Sequence, residues 1–278
     1  MKHVNLFVIG VNKAGTSWLY YLLGRHPDVF MSEVKELYFF GTHKDGPADR
    51  EAYHRHFPFA EDYRYFGDAT PMYYREAAVV EEMYSYNPEA KLLAIVRDPV
   101  ERLLSQYRYH KQLGIIDERM SLAEVLDEGS TRLLDDSHYE ETLPRFAERF
   151  GPDQFKIVSL EEGRDAPEAL WSTLLAFLDL PAVPCPDPDA KPENPTGSPQ
   201  FRRVYRATVQ PVKDYAPSLY QWMLQNAFVR RAKLTLLRLL GKAERESVPS
   251  EVRAQLRDEF APTYGYLQSL GFNYSPPE

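Results

Sequence analysis

A short apolar run that stops at a glycine, with a helical pattern behind it, most constrains what this chain can fold into. The residues from Leu6 to Ile9 are apolar, Gly10 ends the run, and apolar residues recur with helical spacing from Thr16 to Leu23. This order predicts a strand, a glycine loop and a helix. Such a joint in a parallel sheet places its loop at the carboxyl end of the strand, where open α/β sheets bind ligands.

A second joint of the same kind follows later. The run from Lys91 to Val96 leads into a helical pattern from Val100 to Lys111, and Asp98 and Pro99 suit the N-cap and the first position of that helix. Weaker strands are predicted at 29–31, 65–67 and 155–158, and helices at 75–86, 138–150 and 167–178. Strands that alternate with helices predict an α/β fold with a buried parallel sheet.

The composition changes near residue 180. Proline is frequent at 180–200, which predicts a long loop, and helical patterns return at 217–241 and 249–270. We interpret residues 1–278 as a single domain, in which 217–278 form a helical C-terminal part. The segment 219–240 is apolar on a broad face and also carries basic side chains. It predicts either core packing or the docking of an acidic carrier protein or an anionic lipid surface.

Composition also narrows the functional classes. The net charge of −8 argues against a general affinity for nucleic acid. Because Cys185 is the single cysteine, we expect neither an intramolecular disulfide nor a thiolate zinc cluster, and no metal site is predicted. The longest apolar stretch, from Trp18 to Gly24, falls far short of the about 20 residues that a transmembrane helix needs. Met1, Lys2 and His3 lead straight into a short strand-like run and not into the apolar core of a secretory signal. We therefore expect a cytoplasmic protein.

The first glycine loop predicts an anion site. Gly10 and Gly15 flank four residues and precede a helix, whose free N–H groups and dipole attract a phosphate. The spacing matches the start of a P-loop, but Thr16 stands where that motif has lysine, and Lys13 lies inside the loop. A lysine there is closer to a single 5′-phosphate and its leaving group than to a triphosphate. The alternative is a turn in which both glycines supply only backbone freedom.

Arg97 and Ser105 form a second candidate anion site. Arg97 ends the second strand and Ser105 lies about two turns into the helix that follows, so both can face one anion. A guanidinium offers a fork of donors that suits phosphate. The alternative is a surface ion pair of Arg97 with Asp98 or Glu101, beside a solvated Ser105. A nucleotide with phosphates at both ends of its ribose would occupy both sites.

These segments resemble the sulfotransferase family that uses 3′-phosphoadenosine 5′-phosphosulfate (PAPS). Residues 12–18 are similar to its 5′-phosphosulfate loop, and residues 97–107 to its 3′-phosphate element. Further matches, in the order and spacing of the heparan-sulfate and bacterial branches, lie at 26–29, 36–40, 67–71 and 252–271. The resemblance implies a P-loop-like fold of three layers, with a central parallel sheet flanked by helices. It also implies a PAPS-dependent O-sulfotransferase that releases PAP and requires no metal.

The resemblance assigns most of the nucleotide contacts to the two joints. The residues that it implies there are Lys13, Ala14, Gly15, Thr16, Ser17, Trp18, Arg97 and Ser105. The segment around Arg202 and Arg203 is similar to the family's late loop, which closes over the nucleotide. These two arginines would either reach the 3′-phosphate or be solvated.

Sulfuryl transfer to a hydroxyl needs a base for the hydroxyl and positive charge beside the departing oxygen. In the related carbohydrate enzymes, the glutamate that matches Glu36 is thought to be the base, and Lys13 would neutralise the oxygen. We expect Phe39 and Phe40 to help desolvate Glu36. Otherwise Glu36 caps or solvates a short helix.

The remaining candidates belong to the acceptor side. They are Lys35, Tyr38, Phe40, Asp68, Tyr73 and His110. Asp68 and its aromatic neighbours line a pocket or pack in the core, and a lone histidine such as His110 has surface and structural roles as alternatives. Tyr38 stands where the animal carbohydrate enzymes usually have histidine, and Ala69 where they have lysine. The lost positive charge argues against a highly sulfated polysaccharide.

The acceptor class and two other functions stay open at this point. The candidate acceptors are a sugar or glycolipid hydroxyl, a polyketide or acyl-carrier-bound hydroxyl, and another small molecule. A nucleotide kinase-like phosphotransferase is the first rival function, and Thr16 in place of the P-loop lysine weighs against it. The second rival is a non-catalytic nucleotide-binding module, which would bind PAP without transferring anything.

Overall fold

The chain divides into two compact units in a computed structural model that describes residues 2–41, 49–129, 131–186 and 248–274. The first unit takes in the described residues of 2–102, 134–186 and 259–274, and the second those of 103–133 and 248–258. Most of the predicted proline-rich loop, and the basic helical pattern at 219–240, lie outside the described residues. The single domain expected from the sequence stays a prediction.

Five parallel strands form one sheet in the first unit. The strands are β1 (Leu6–Gly10), β2 (Val29–Met31), β3 (Tyr65–Ala69), β4 (Lys91–Val96) and β5 (Phe155–Ser159). Their order across the sheet is β2-β3-β1-β4-β5, and β1 pairs in parallel with both β3 and β4. The predicted parallel sheet and the strands predicted for it are confirmed.

The described helices follow the predicted pattern for the longer segments. They are α1 (Thr16–Leu23), α2 (Arg50–His54), α3 (Ala77–Tyr86), α4 (Pro99–Leu113), α5 (Leu122–Asp127), α6 (Thr131–Asp135), α7 (Tyr139–Phe150), α8 (Leu160–Asp165), α9 (Pro167–Phe177), α10 (Ser250–Glu259) and α11 (Ala261–Ser269). The helix expected at 249–270 is two helices, because Pro262 starts a new first turn after Phe260. The short helices α2, α5, α6 and α8 have too few residues to show a periodic pattern, and the sequence did not predict them.

Successive residues of β1 alternate between two apolar layers. Phe7 and Ile9 belong to a buried cluster with residues of α3 and α7. Leu6 and Val8 belong to a second cluster with residues of α1 and α9. The sheet therefore has a helical layer on each face, which confirms the three-layer, P-loop-like fold. Every residue of β1 is buried.

A buried ion cluster ties the start of α4 to the turn between α6 and α7. Arg102 is 0% exposed, its Nη1 lies 3.7 Å from Asp136 Oδ2, and its Nε donates to Ser137 Oγ at 2.5 Å. Arg75 also donates to the Asp136 carboxylate. A buried guanidinium is tolerated only where a carboxylate and further hydrogen bonds replace its water.

Asp136→Ala should lower the free energy of unfolding by about 3–5 kcal/mol, because it leaves Arg102 buried without its carboxylate. Urea unfolding at neutral pH measures this loss. The matched control is Asp117→Ala, which removes the pair with the 90% exposed Arg119 side chain and should cost less than about 1 kcal/mol. Equal losses in the two variants would contradict a structural role for the buried cluster.

Candidate active site

The loop between β1 and α1 has the geometry of an anion site. Gly15 caps α1 at a φ of 103°, in the left-handed region that favours glycine. A Cβ at this position would lie 2.7 Å from Leu160 Cδ1, so Leu160 would have to shift to admit a larger residue. Gly15 also offers no side-chain acceptor to the first-turn N–H groups. An uncapped helix N-terminus of this kind binds anions well.

The side chains of this loop differ in exposure. Lys13 has a φ of 70° and is half-buried, whereas Ser17 is exposed. Ala14 and Thr16 are buried. Trp18 is buried as well, and its Nε1 has no hydrogen-bond partner among the described residues. The predicted residues thus lie in the loop and in the first turn of α1, and their contacts with a nucleotide stay a prediction.

Arg97 follows β4 and reaches the neighbouring glycine loop. Its Nη1 donates to the carbonyl oxygen of Lys13 at 3.3 Å. It also forms ion pairs with Glu101 at 3.6 Å and with Glu161 at 3.9 Å. Only 15% of the Arg97 side chain is exposed, so the alternative of a pair with Glu101 is present but is not a solvated surface pair. Asp98 is the N-cap expected from the sequence, since its Oδ1 accepts from the Glu101 N–H at 2.8 Å.

Ser105 and His110 lie on the part of α4 that belongs to the second unit. Both residues are half-buried. The carbonyl oxygen of His110, in the last turn of α4, accepts from the Ile115 N–H at 3.0 Å. Their roles at the 3′-phosphate and at the acceptor stay predictions. Arg202 and Arg203 lie outside the described residues.

Glu36 and Tyr38 are exposed neighbours in the loop that follows β2. Both have positive φ, 63° for Glu36 and 51° for Tyr38, and the Tyr38 hydroxyl donates to Glu36 Oε2 at 2.9 Å. Phe39 and Phe40 turn the other way and join the buried cluster beside the sheet. The expectation that these rings desolvate Glu36 is therefore wrong, because the core takes up both of them. Residues 32–41 contain no helix that Glu36 caps.

Lys35 connects this loop to the glycine loop. Its Nζ donates to Ser17 Oγ at 2.7 Å and lies 5.5 Å from the centroid of the Tyr20 ring. Burial lowers the pKa of Lys35, and the charge of Glu36 raises it again in part. The sequence suggested Lys35 as an acceptor contact, but its side chain also holds two candidate loops together.

Asp68 lies at the end of β3 and is 0% exposed. Its Oδ2 accepts from the hydroxyls of Tyr53 at 3.0 Å and Tyr73 at 2.9 Å, and its Oδ1 from Thr70 at 2.8 Å. Tyr73 in turn accepts from the Phe39 N–H at 2.9 Å. These hydrogen bonds connect the buried Asp68 to the backbone of the loop that contains Glu36. The burial of Asp68 and Tyr73 favours the alternative in which both residues pack in the core. Contact of either residue with the acceptor stays a prediction.

Sequence reasoning missed two residues of this region. Tyr53, from α2, donates to Asp68, and Glu161 lies beside Arg97 in the first turn of α8. Nothing near Tyr53 in the sequence resembles a motif. Glu161 follows the fifth strand, and its place at the carboxyl end of that strand was a signal that could have identified it.

A search of the described ranges for metal ligands finds no group of three histidine, cysteine or carboxylate side chains that is placed to hold an ion. The expected independence from metal stays a prediction. Within the same ranges, no helix combines the length and apolar character that a crossing of the membrane needs.

Comparison with known proteins gives consistent matches. The family model of the sulfotransferase domain matches residues 4–189. Membrane-associated sulfotransferase kil1 of Dictyostelium discoideum is 34% identical over 109 residues, which are 39% of this chain and 23% of that protein. Heparan sulfate glucosamine 3-O-sulfotransferase 5 of Mus musculus is 29% identical over 184 residues, which are 63% of this chain and 53% of that protein. The chain thus spans about half, or less, of the length of these two relatives.

A solved structure matches over a larger share. The crystal structure of a sulfotransferase from Alicyclobacillus acidocaldarius has a TM-score of 0.62 and 25% sequence identity to this chain. The match covers 79% of this chain and 96% of that one.

The stability of the protein should depend on pH through Asp68. Burial raises the pKa of Asp68 from 3.8 to about 6, although its three hydroxyl donors oppose the shift. A raised folded-state pKa contributes stability that is present below the unfolded-state pKa and is lost as the pH rises through about 6. Relative to Asp68→Asn, the free energy of unfolding of the wild type should fall by about 2–3 kcal/mol between about pH 4 and pH 7.

Urea unfolding of both proteins across this pH range measures the difference. Every other titratable group is present in both proteins, so the contributions of those groups cancel in the comparison. Parallel pH profiles would show that Asp68 titrates as it does in the unfolded chain.

Proposed function

This chain belongs to the sulfotransferase domain family, whose model covers residues 4–189, and on that premise we propose that it transfers the sulfuryl group of PAPS to an acceptor hydroxyl. The observation that carries the proposal is the bond from Arg97 to the Lys13 carbonyl, 3.3 Å long. It joins the ends of the adjacent strands β1 and β4. Two cationic residues therefore flank the uncapped N-terminus of α1, an arrangement that suits a nucleotide with two anionic groups.

The residues at this edge of the sheet fit such a nucleotide. Arg97 Nε is buried and makes no hydrogen bond to any described residue. A buried donor of this kind needs an acceptor, and a phosphate oxygen is one. The loop from Lys13 to Trp18 would hold the 5′ end, and Arg97 the 3′-phosphate. Ser105, Arg202 and Arg203 are proposed further contacts.

The chemistry divides between two residues. When bound, PAPS supplies a sulfuryl group attached to a phosphate leaving group. Glu36 is exposed and would accept the proton of the acceptor hydroxyl. Lys13 would stabilise the negative charge that grows on the bridging oxygen as the sulfuryl group departs. The side chains of the chain suffice for this scheme, and we propose that it needs no metal.

The acceptor is proposed to be a hydroxyl of low charge density, on a sugar, glycolipid, carrier-bound chain or other small molecule. The mouse relative is named for heparan sulfate glucosamine. Here Tyr38 donates to Glu36 through a neutral hydroxyl, and Ala69 at the end of β3 carries no charge. The two positions therefore attract a polyanion less than a histidine and a lysine would. We also propose a cytoplasmic, bacterial enzyme that binds an acidic carrier protein or a membrane surface. One relative is described as membrane-associated.

PAP should raise the melting temperature of the protein, and ATP with magnesium should do so much less, because ATP has no 3′-phosphate for Arg97. At a PAP concentration about 100-fold above its Kd, the stabilisation is about 2.7 kcal/mol. A thermal-shift titration with both nucleotides measures the difference. Equal shifts would contradict the proposed role of Arg97 and would favour the kinase-like alternative.

Glu36→Gln should retain the thermal shift with PAP but lose transfer activity by about 10²- to 10⁴-fold, because an amide cannot accept the hydroxyl proton. The assay follows label from radioactive PAPS into a panel of sugar and small-molecule alcohols. Glu33→Gln is the matched control, since Glu33 is an exposed acid of the same loop, and it should keep the wild-type rate. Near-normal transfer by Glu36→Gln would place the base elsewhere, with His110 next to test. PAP binding without transfer by the wild type would favour a non-catalytic module.

A further inference from the structure

Glu161 is a carboxylate that the proposed reaction does not use, yet it lies beside the proposed phosphate ligand. Its Oε1 lies 3.9 Å from Arg97 Nε and accepts from the Asp98 N–H at 3.4 Å. Its Oε2 is buried and makes no hydrogen bond within the described part of the chain. Arg97 Nε is likewise buried and unbonded. The two groups are close enough for attraction but too far apart for a hydrogen bond.

This arrangement leaves Glu161 with few interactions that favour its charged form. Burial raises the pKa of Glu161 above its ordinary value, and the charge of Asp98 raises it further, whereas its own backbone N–H, the charge of Arg97 and the Asp98 N–H lower it in part. A phosphate at Arg97 would replace the carboxylate as the partner of the guanidinium. It would also bring negative charge next to the carboxylate. Both changes favour the protonated form of Glu161.

We propose that Glu161 competes with the 3′-phosphate of the nucleotide for Arg97 and takes up a proton when that phosphate binds. This inference rests on the proposed function, because it takes the nucleotide to carry a 3′-phosphate. The proton comes from solvent and forms an O–H bond on the carboxylate, while the Arg97 guanidinium stays charged. Glu161 is thus a residue that tunes nucleotide affinity, and Arg97 remains the ligand.

Several other titratable and charged groups surround Glu161, and Glu101 also pairs with Arg97, so the comparison with Glu161→Gln measures the share of Glu161 alone. The titratable and charged neighbours are Arg97, Asp98, Glu101, Tyr139, Glu162 and Tyr274. Burial raises the pKa of both Tyr139 and Tyr274, so these phenols stay neutral near pH 7. Asp98 already accepts from the Glu101 N–H and from the Tyr264 hydroxyl. Glu101 lies on α4, at the Nη2 side of Arg97.

One physical consequence is a product affinity that depends on pH. Where Glu161 is ionised, binding of the phosphate displaces the carboxylate from Arg97 and protonates it, which weakens binding. At lower pH the carboxyl is already neutral, and the phosphate meets no competitor. Relative to a variant without this carboxylate, the affinity of the wild type for PAP should therefore increase as the pH falls.

The test is isothermal titration calorimetry of PAP with the full chain in two buffers of different ionisation enthalpy, repeated from acidic to neutral pH. The wild type should take up more protons per bound PAP than Glu161→Gln. Comparison with this variant cancels the proton exchange of PAP itself. At neutral pH, Glu161→Gln should bind PAP about 3- to 10-fold more tightly than the wild type, since one like charge is removed beside the phosphate. The two affinities should converge at acidic pH.

Two controls sharpen this result. Glu162→Gln changes an exposed acid of the same helix and should behave as the wild type. AMP lacks the 3′-phosphate and should show no difference between the wild type and Glu161→Gln. If Glu161→Gln does not fold, Glu161→Ala carries the same expectations.

The outcomes separate this inference from the proposed function. Equal proton uptake in the wild type and Glu161→Gln would overturn the inference while PAP binding itself stands. Weaker binding of PAP by Glu161→Gln would also overturn it, since Glu161 would then merely hold Arg97 in place. A Glu161 effect of equal size with AMP would contradict the assignment of the 3′-phosphate. Absence of PAP binding by the wild type would overturn the proposed function together with the inference.

Discussion

The burial of β1 on every side determines where chemistry can occur in this protein. The strand pairs with β3 and β4, apolar layers cover both of its faces, and all five of its residues are buried. An unpaired charge within it would lose its hydration without compensation. Charged groups are therefore excluded from β1 and lie in the loop beyond its end. At the carboxyl edge, Lys13 and Arg97 emerge from neighbouring strands and share a hydrogen bond.

Buried side chains hold the loop that carries Glu36, the candidate base, in position. Asp68 binds the Tyr73 hydroxyl, which accepts from the Phe39 N–H. The aromatic side chains at 39 and 40 enter the core, and Glu36 is left on the outside with a left-handed backbone. The buried Asp68 carboxylate and the buried Tyr73 ring thus fix the position of the loop that carries the exposed Glu36 carboxylate. Such preorganisation keeps a reactive group in place without covering it.

The sequence predicted features that depend on local order and missed those that depend on distant contacts. The two strand-loop-helix joints and the N-cap of Asp98 were predictable, because a few adjacent residues define each of them. The prediction that Phe39 desolvates Glu36 is wrong, because the packing of Phe39 in the core depends on tertiary contacts. The partnership of Arg97 with Glu161 joins β4 to α8, 64 residues later in the chain. No spacing rule within either segment contains that information.

The contact beneath the glycine loop also limits how this site can diverge. Leu160 is 1% exposed and occupies the space that a side chain at Gly15 would need. The backbone there also has a φ of 103°, which disfavours any residue with a Cβ. A smaller residue in place of Leu160 would make room for a Cβ at position 15, but it would open a cavity in the core and leave the backbone strain unchanged. Glycine at position 15 is therefore required for two separate reasons, the side chain beneath it and its own backbone, and a change at position 160 removes only the first.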